Sequence, residues 1–146
     1  MRVQSLGHIV LKVRDLGRST DFYTRVLGLK EVARRDGQMV FLSIEDNHHD
    51  VALVQMAPDA PAAPADATGL AHVAFKIGND LDTLRAAKDW LESNDVEIDR
   101  IHDHTVSQSI YFHDPDGNQL EVFVDGDPKI WRDTPQRVAT REPLAL

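Results

Sequence analysis

At residues 7–13 the chain reads Gly-His-Ile-Val-Leu-Lys-Val, and at residues 71–77 it reads Ala-His-Val-Ala-Phe-Lys-Ile. The two heptapeptides match nearly position by position, and their apolar, β-branched content is typical of strands. Similar helix and strand signals follow each of them, so the sequence predicts an internal repeat of a βαβββ module. We expect an α+β fold in which the paired modules form a curved, partly closed mixed β-sheet with flanking helices.

The first heptapeptide is followed by a predicted helix and three predicted strands. Asp15 can cap a helix that runs to about Leu27, and Gly28 then stands where a helix commonly ends. The residues predicted to form the buried stripe of this helix are Phe22, Val26 and Leu27. The strands are predicted at 29–34, 38–44 and 49–55, with turns at Asp36-Gly37 and Asp46-Asn47.

The second heptapeptide is followed by the same order of elements. A helix is predicted from a cap at Asn79 or Asp80 to about Ser93. Its predicted apolar side consists of Leu81, Leu84, Ala87, Trp90 and Leu91. Strands are predicted at 96–103, 107–113 and 119–124, and a strong turn sequence, 114–118, joins the last two.

The predicted layout is one domain over residues 1–126 and a C-terminal tail over 127–146. The modules span residues 1–56 and 69–126, and the connector 57–68 carries three prolines among alanines, which favours extended chain. The tail shows no clear periodicity. We expect its Trp131 to anchor it on the body of the protein or on another subunit.

Composition excludes several function classes. The chain has 146 residues, a formal net charge of −8 and no cysteine. Disulfides, thiolate metal sites and cysteine nucleophiles are therefore excluded, and any metal would be bound by nitrogen and oxygen. The acidity argues against nucleic acid or an anionic membrane as a partner. With no apolar run of membrane-spanning length and no signal-peptide pattern, we expect a cytoplasmic protein.

Three residues are candidate metal ligands. His8 and His72 occupy equivalent positions in the repeat, on the strand face opposite the apolar one, so pseudo-symmetric pairing would direct both imidazoles into one cavity. Glu121 interrupts an apolar strand, where a carboxylate is costly unless it is paired or binds a metal. Two imidazoles and a carboxylate suit Fe(II) or Mn(II) with open positions better than structural zinc. The alternatives are two unrelated core histidines and a Glu121 that faces water.

Other polar residues could transfer protons near such a metal. His49, His102 and Tyr111 lie on predicted strands, and His113 follows Tyr111 on the same face. A neutral histidine near a metal is a natural acid or base at neutral pH, and tyrosine offers a hydroxyl. The alternative is an exposed histidine or a packing tyrosine. We expect His48 and His104 to be exposed or to lie outside direct contact with the site.

The repeat, both histidine heptapeptides and the run 111–123, Tyr-Phe-His-Asp-Pro-Asp-Gly-Asn-Gln-Leu-Glu-Val-Phe, resemble the vicinal oxygen chelate superfamily. That superfamily includes glyoxalases, fosfomycin-resistance thiol transferases, bleomycin-binding proteins and extradiol dioxygenases. The resemblance covers about residues 5–125. The stretch 49–53, the run 103–112 and the spacing of His102, Tyr111 and Glu121 look like small one-domain catechol 2,3-dioxygenase-like proteins.

The resemblance implies an extradiol dioxygenase that cleaves a catecholic substrate with O2, as in the catabolism of aromatic hydrocarbons. It implies a mononuclear non-haem Fe(II), or alternatively Mn(II), bound by His8, His72 and Glu121. His49 would then act as the acid/base, and His102 and Tyr111 would donate hydrogen bonds to the substrate oxygens.

The resemblance also leaves other functions open. They are a metal-dependent glyoxalase or isomerase, an antibiotic-modifying thiol transferase, and a small-molecule binding protein of the same fold. Glyoxalase I normally adds a fourth protein ligand from the first module, and near residues 49–54 Asp50 is the one carboxylate with the needed strand context. We expect a homo-oligomer whose modules pair within a chain or between chains.

Overall fold

The computed structural model describes residues 1–64 and 66–146, and Ala65 of the predicted connector lies outside the described residues. The chain divides into two compact units. The first unit consists of Met1–Ala67 and Pro115–Gly117, and the second consists of Thr68–Asp114 and Asn118–Leu146. The division follows the predicted repeat, and the single domain over residues 1–126 stays a prediction.

The first unit has the predicted order of one strand, one helix and three strands. Its elements are β1 (Ile9–Val13), α1 (Leu16–Asp21) with a π-helical continuation (Phe22–Val26), β2 (Lys30–Arg35), β3 (Met39–Ser43) and β4 (Val51–Gln55). The side chain of Asp15 accepts a hydrogen bond from the backbone N–H of Arg18, which confirms the predicted cap. Gly28 has φ +75°, so the chain leaves the helix in a conformation that favours glycine.

One face of the first sheet packs on its helix. The strands are ordered β1-β4-β3-β2, with β1 parallel to β4 and the other pairs antiparallel. The buried residues are Leu11, Val13, Val40, Leu42, Val51 and Leu53 on the sheet and Leu16, Phe22, Tyr23 and Val26 on the helix. Leu27 is only half-buried, because the chain turns away at Gly28, and Tyr23 occupies the core instead.

A buried carboxylate also belongs to the first unit. The side chain of Asp116 is 4% exposed and lies 3.5 Å from the guanidinium of Arg14 and 3.4 Å from that of Arg18. It also accepts hydrogen bonds from the Arg14 backbone N–H and the Ser19 hydroxyl, both at 3.0 Å. A buried anion with this many donors is satisfied, which a lone buried carboxylate would not be.

The second unit repeats this architecture. Its elements are β5 (Val73–Gly78), α2 (Leu81–Ser93), β6 (Ile98–Asp103), β7 (Ser107–His113), β8 (Gln119–Asp125), α3 (Pro128–Asp133), a 3₁₀ helix (Pro135–Ala139) and β9 (Glu142–Pro143). Its sheet is ordered β5-β8-β7-β6-β9, with β5 parallel to β8. The first four strands have the order found in the first unit. The predicted α+β class with mixed sheets is thereby confirmed.

The two faces of the second sheet differ in chemistry. Its buried apolar residues are Ile110, Phe112, Leu120, Val122 and Val124 on the sheet and Leu84 and Leu91 on α2. Tyr111 and Glu121 alternate with these residues along β7 and β8, so both lie on the opposite face. The prediction that Leu81 and Trp90 belong to the apolar side of α2 is wrong, since they are 36% and 49% exposed.

The predicted tail has structure of its own. The side chain of Asp127 accepts from Lys129 N and caps α3, and β9 pairs with β6. These elements are short, so they leave no periodic pattern in the sequence. Over residues 1–64 and 66–146, no helix is both long and apolar enough to cross a bilayer.

Candidate metal-binding and acid–base site

His72 and Glu121 form a contact pair in the second unit. His72 Nε2 lies 2.9 Å from Glu121 Oε2, and the Glu121 side chain is 9% exposed. His72 directly precedes β5, whereas the sequence placed it inside a strand. Because Ala74 stands opposite Glu121 in the parallel β5–β8 register, the residue two positions earlier on the same face reaches the carboxylate.

Tyr111 brings further polar groups to this pair. It stands directly opposite Glu121 in the antiparallel β7–β8 register, and its ring centroid lies 5.7 Å from that of His72. The guanidinium carbon of Arg100 lies 4.2 Å from the centroid of the Tyr111 ring. Burial raises the pKa of Tyr111, and the neighbouring Glu121 carboxylate raises it further. The phenol is therefore protonated at neutral pH.

His102 lies beside Tyr111 on the same unit. The two ring centroids are 5.8 Å apart, and His102 is buried. Burial lowers the pKa of His102, and the positive charges of Arg141 and Arg100 lower it further. A neutral imidazole in this position can donate one hydrogen bond and accept another.

The first unit brings two other predicted residues together. The ring centroids of His8 and His49 lie 4.3 Å apart, and Phe41 meets His49 edge-on at 5.3 Å. His48 Nδ1 lies 2.7 Å from His49 Nδ1, so His48 is a direct neighbour of a predicted catalytic residue. Loss of water contact lowers the pKa of His49, and the nearby His8 and His48 lower it further.

Asp50, the one carboxylate that the sequence offered as a ligand in the first module, closes a loop. Its Oδ2 accepts from Ile44 N, and its Oδ1 accepts from Asn47 Nδ2, both at 2.8 Å. These two hydrogen bonds lower the pKa of Asp50. The strand position that matches Glu121 is Ala52.

The donor chemistry of the His72–Glu121 pair fits a divalent ion. Ligand bonds of about 2.1 Å at right angles place two ligand atoms about 3 Å apart, which is close to the separation seen here. Imidazole and carboxylate suit Fe(II) and Mn(II). Within residues 1–64 and 66–146, no three His, Asp or Glu side chains are grouped closely enough to hold an ion. The predicted third ligand, His8, belongs to the first unit.

Two residues near Tyr111 were not among the predicted site residues. His104 is half-buried, and its Nε2 lies 2.9 Å from the Tyr111 hydroxyl, so it contacts a predicted site residue. The sequence gives no reason to place Arg100 in the site, because a cation on a strand is usually solvent-exposed. His113, in contrast, is exposed and its Nδ1 lies 3.0 Å from Asp99.

Comparisons with known proteins agree with the fold. The profile of the family described as Glyoxalase/Bleomycin resistance protein/Dioxygenase superfamily matches residues 5–122. The chain is 33% identical to "Catechol-2,3-dioxygenase" of Bacillus subtilis over 135 residues, which cover 87% of this chain and 44% of that protein. It is 34% identical to "Metallothiol transferase FosB" of Staphylococcus epidermidis over 125 residues, which cover 84% of this chain and 82% of that protein.

A solved structure shows the same fold. The glyoxylase/bleomycin resistance protein/dioxygenase domain from Frankia sp. EAN1pec aligns with a TM-score of 0.69 and 21% identity, covering 85% of this chain and 99% of that one. The chain spans less than two thirds of the length of three curated relatives that it matches, with coverages of 44%, 63% and 41%.

Proposed function

This chain belongs to the glyoxalase/bleomycin resistance protein/dioxygenase superfamily, and on that premise we propose that it cleaves the ring of a catecholic compound with O2. The bond broken would lie outside the two hydroxyls. The observation that carries the proposal is the cross-strand pair of Tyr111 and Glu121, with His72 in contact with the carboxylate and His102 beside the phenol. The identity with a catechol dioxygenase supports it.

His72 and Glu121 would hold the metal, with His8 of the first unit as the third ligand. The ion would be Fe(II), or alternatively Mn(II), and it would lower the pKa of the catechol hydroxyls and bring O2 close to the ring. The 2.9 Å separation of the His72 and Glu121 ligand atoms supports this assignment. Because Glu121 is buried, water would compete poorly with the metal for its carboxylate.

The remaining residues would handle protons and substrate oxygens. His49, whose ring centroid lies 4.3 Å from that of His8, would take the proton of a substrate hydroxyl and return it later in the reaction. His102 and Tyr111 would form hydrogen bonds with the substrate oxygens. Both side chains are buried, so water competes poorly for these hydrogen bonds.

A second candidate function is transfer of a thiol to an electrophile, without redox chemistry. The specific observation in its favour is that the match spans 82% of the length of the metallothiol transferase FosB, against 44% of the catechol-2,3-dioxygenase. A glyoxalase-type isomerase is less well supported, because Ala52 stands at the strand position where the first module would need a carboxylate.

The experiment is anaerobic loading of the protein with Fe(II), followed by a catechol and ¹⁸O2. We expect one O2 consumed per catechol, a yellow product and both labelled atoms in that product. The control is Glu121→Gln, which keeps the shape of the side chain and removes its charge. If O2 uptake is absent while Mn(II)-loaded protein consumes a thiol in the presence of an electrophile, the second function replaces the first.

The predicted homo-oligomer and the predicted cytoplasmic location stay predictions. Size-exclusion chromatography with light scattering tests the oligomeric state directly.

A further inference from the structure

We propose that His104 is a positioning residue for Tyr111 and that the C-terminal tail, through the main-chain carbonyl of Thr140, holds His104 in place. The effect on catalysis rests on the proposed function, whereas the hydrogen-bonded chain itself does not. The tail then belongs to the site and is more than an appendage of the fold.

Three groups are linked in series. The Tyr111 hydroxyl lies 2.9 Å from His104 Nε2, and His104 Nδ1 lies 2.9 Å from the Thr140 carbonyl oxygen. Both distances are ordinary for hydrogen bonds. Tyr111 is 6% exposed and His104 is half-buried, so water does not readily replace either partner.

The carbonyl determines how the protons are arranged. A backbone carbonyl can only accept, so His104 Nδ1 must carry a proton and donate it to Thr140. In the neutral imidazole Nε2 is then an acceptor, and the Tyr111 hydroxyl must donate to it. The tail therefore sets the tautomer of His104, and the tautomer sets the direction of the Tyr111 proton.

The direction of that proton decides how Tyr111 meets a substrate. The phenol has one proton, and His104 Nε2 accepts it. With the proton directed to a protein group, the oxygen lone pairs remain for an incoming hydroxyl. Tyr111 would therefore accept a hydrogen bond from a substrate hydroxyl instead of donating one.

Rigid backbone supports both ends of this series. His104 begins the β6–β7 turn, where its N–H donates to Ser107 O at 2.8 Å and the following Thr105 has φ +69°. Past Thr140, β9 pairs with β6, and Leu144 N donates to Ile101 O at 3.0 Å. These main-chain bonds restrain the backbone that carries the imidazole and the carbonyl.

Two substitutions of His104 separate the two hydrogen bonds. The amide of His104→Asn reaches the place of Nδ1 and can still donate to Thr140, but it does not reach Tyr111. The amide of His104→Gln reaches the place of Nε2 and can still accept from Tyr111. The control is Thr140→Ala, which keeps the main-chain carbonyl.

The first measurement needs neither metal nor substrate. The chain has two tyrosines, so protein labelled with ¹³C at tyrosine Cζ gives two signals, with the buried Tyr23 as the internal reference. We expect the Tyr111 signal to move in His104→Asn and to stay in His104→Gln and Thr140→Ala. Exchange of the Leu144 amide should become roughly fivefold faster in His104→Gln, as for the loss of one hydrogen bond. A Tyr111 signal that does not move in His104→Asn overturns the proposal.

The second measurement is steady-state ring cleavage. We expect kcat to fall about tenfold in His104→Asn with KM within about twofold, and to remain within about threefold in His104→Gln. Equal loss of kcat in both variants contradicts a positioning role. If the wild-type protein cleaves no catechol while the Tyr111 signal responds as expected, the proposed function fails and the positioning of Tyr111 stands.

Discussion

Strand β4 of the first unit and strand β8 of the second occupy the same place in their sheets, and the neighbouring strands also correspond. When His8 is aligned with His72, the strand registers of the two sheets correspond residue by residue. The matched pairs are Ala52 and Glu121, Phe41 and Tyr111, and Ala33 and Arg100. Even the register shift recurs, between Glu31 and Ala33 and between Ile98 and Arg100.

The difference between the two units is therefore chemical and not architectural. At each of the three matched positions the first unit carries an apolar side chain and the second carries a charged group or a hydroxyl. Only the histidine is common to both. One scaffold thus tolerates either set of side chains on this face, and the polar set makes the second unit the main source of the proposed site.

The largest expected effect comes from making the second unit resemble the first. Glu121→Ala should weaken binding of Fe(II) or Mn(II) by about a hundredfold or more, because it removes the only anionic ligand proposed. Metal content after dialysis, measured by mass spectrometry, checks this expectation. The circular dichroism spectrum should be unchanged. Full retention of the metal by a folded Glu121→Ala protein would contradict the ligand assignment.

The reverse exchange tests whether the first unit can accept the same charge. Ala52 is 1% exposed, and its match to Glu121 means that a carboxylate here would face His8 as well as the apolar Val10 and Phe41. Ala52→Glu should lower the free energy of unfolding by about 2 kcal/mol at pH 7, as measured by urea denaturation, because His8 offsets only part of the cost of burying the charge. The loss should shrink as the pH falls and the carboxyl becomes neutral. Ala52→Gln is the control for side-chain size.

The matched aromatic pair isolates a single hydroxyl. Tyr111→Phe should lower kcat about thirtyfold and leave metal content unchanged, since the hydroxyl contacts His104 and the proposed substrate. Phe41→Tyr should leave kcat within about twofold, since Phe41 contacts His49 with its ring edge. Equal losses in the two variants would mean that the units do not differ in function at this position.

The smallest effect concerns Asp50, which closes a loop of the first unit. Its pKa is lowered by its hydrogen bonds, so the folded state holds the charged form more strongly than the unfolded chain does. The stabilisation is fully present above the ordinary aspartate pKa of about 4 and is lost as the pH falls through the lowered pKa. Asp50→Asn should cost less than about 1 kcal/mol at pH 7. Urea denaturation at pH 7 and at about pH 2 should show that the difference disappears in acid.

Most of the fold could be predicted because local sequence patterns, such as helix caps and turns, mark the elements of the repeat. Asp15 and Asp80 cap their helices, and Gly28 and the turn 114–118 end elements where expected. The contact of His72 with Glu121 was also predictable, since period two in strands places alternate residues on one face. The contact of His8 with a site in the second unit stays a prediction.

The parts of the site that could not be predicted share a physical cause. His104 follows its strand, in a turn where period two no longer determines the direction of a side chain. Thr140 contributes a main-chain carbonyl, which no side-chain pattern can report. In the tail, β9 is held by a short pairing to β6, and such a pairing is a tertiary contact that the local sequence does not encode.

The buried Asp116 has a consequence for the order in which the protein matures on the ribosome. Its carboxylate satisfies Arg14 and Ser19 near the start of the chain, yet it is made about a hundred residues later. During synthesis, these partners must remain hydrated until residue 116 emerges. The N-terminal unit therefore reaches its final stability only after the chain has been elongated through β7, although its own strands are translated first.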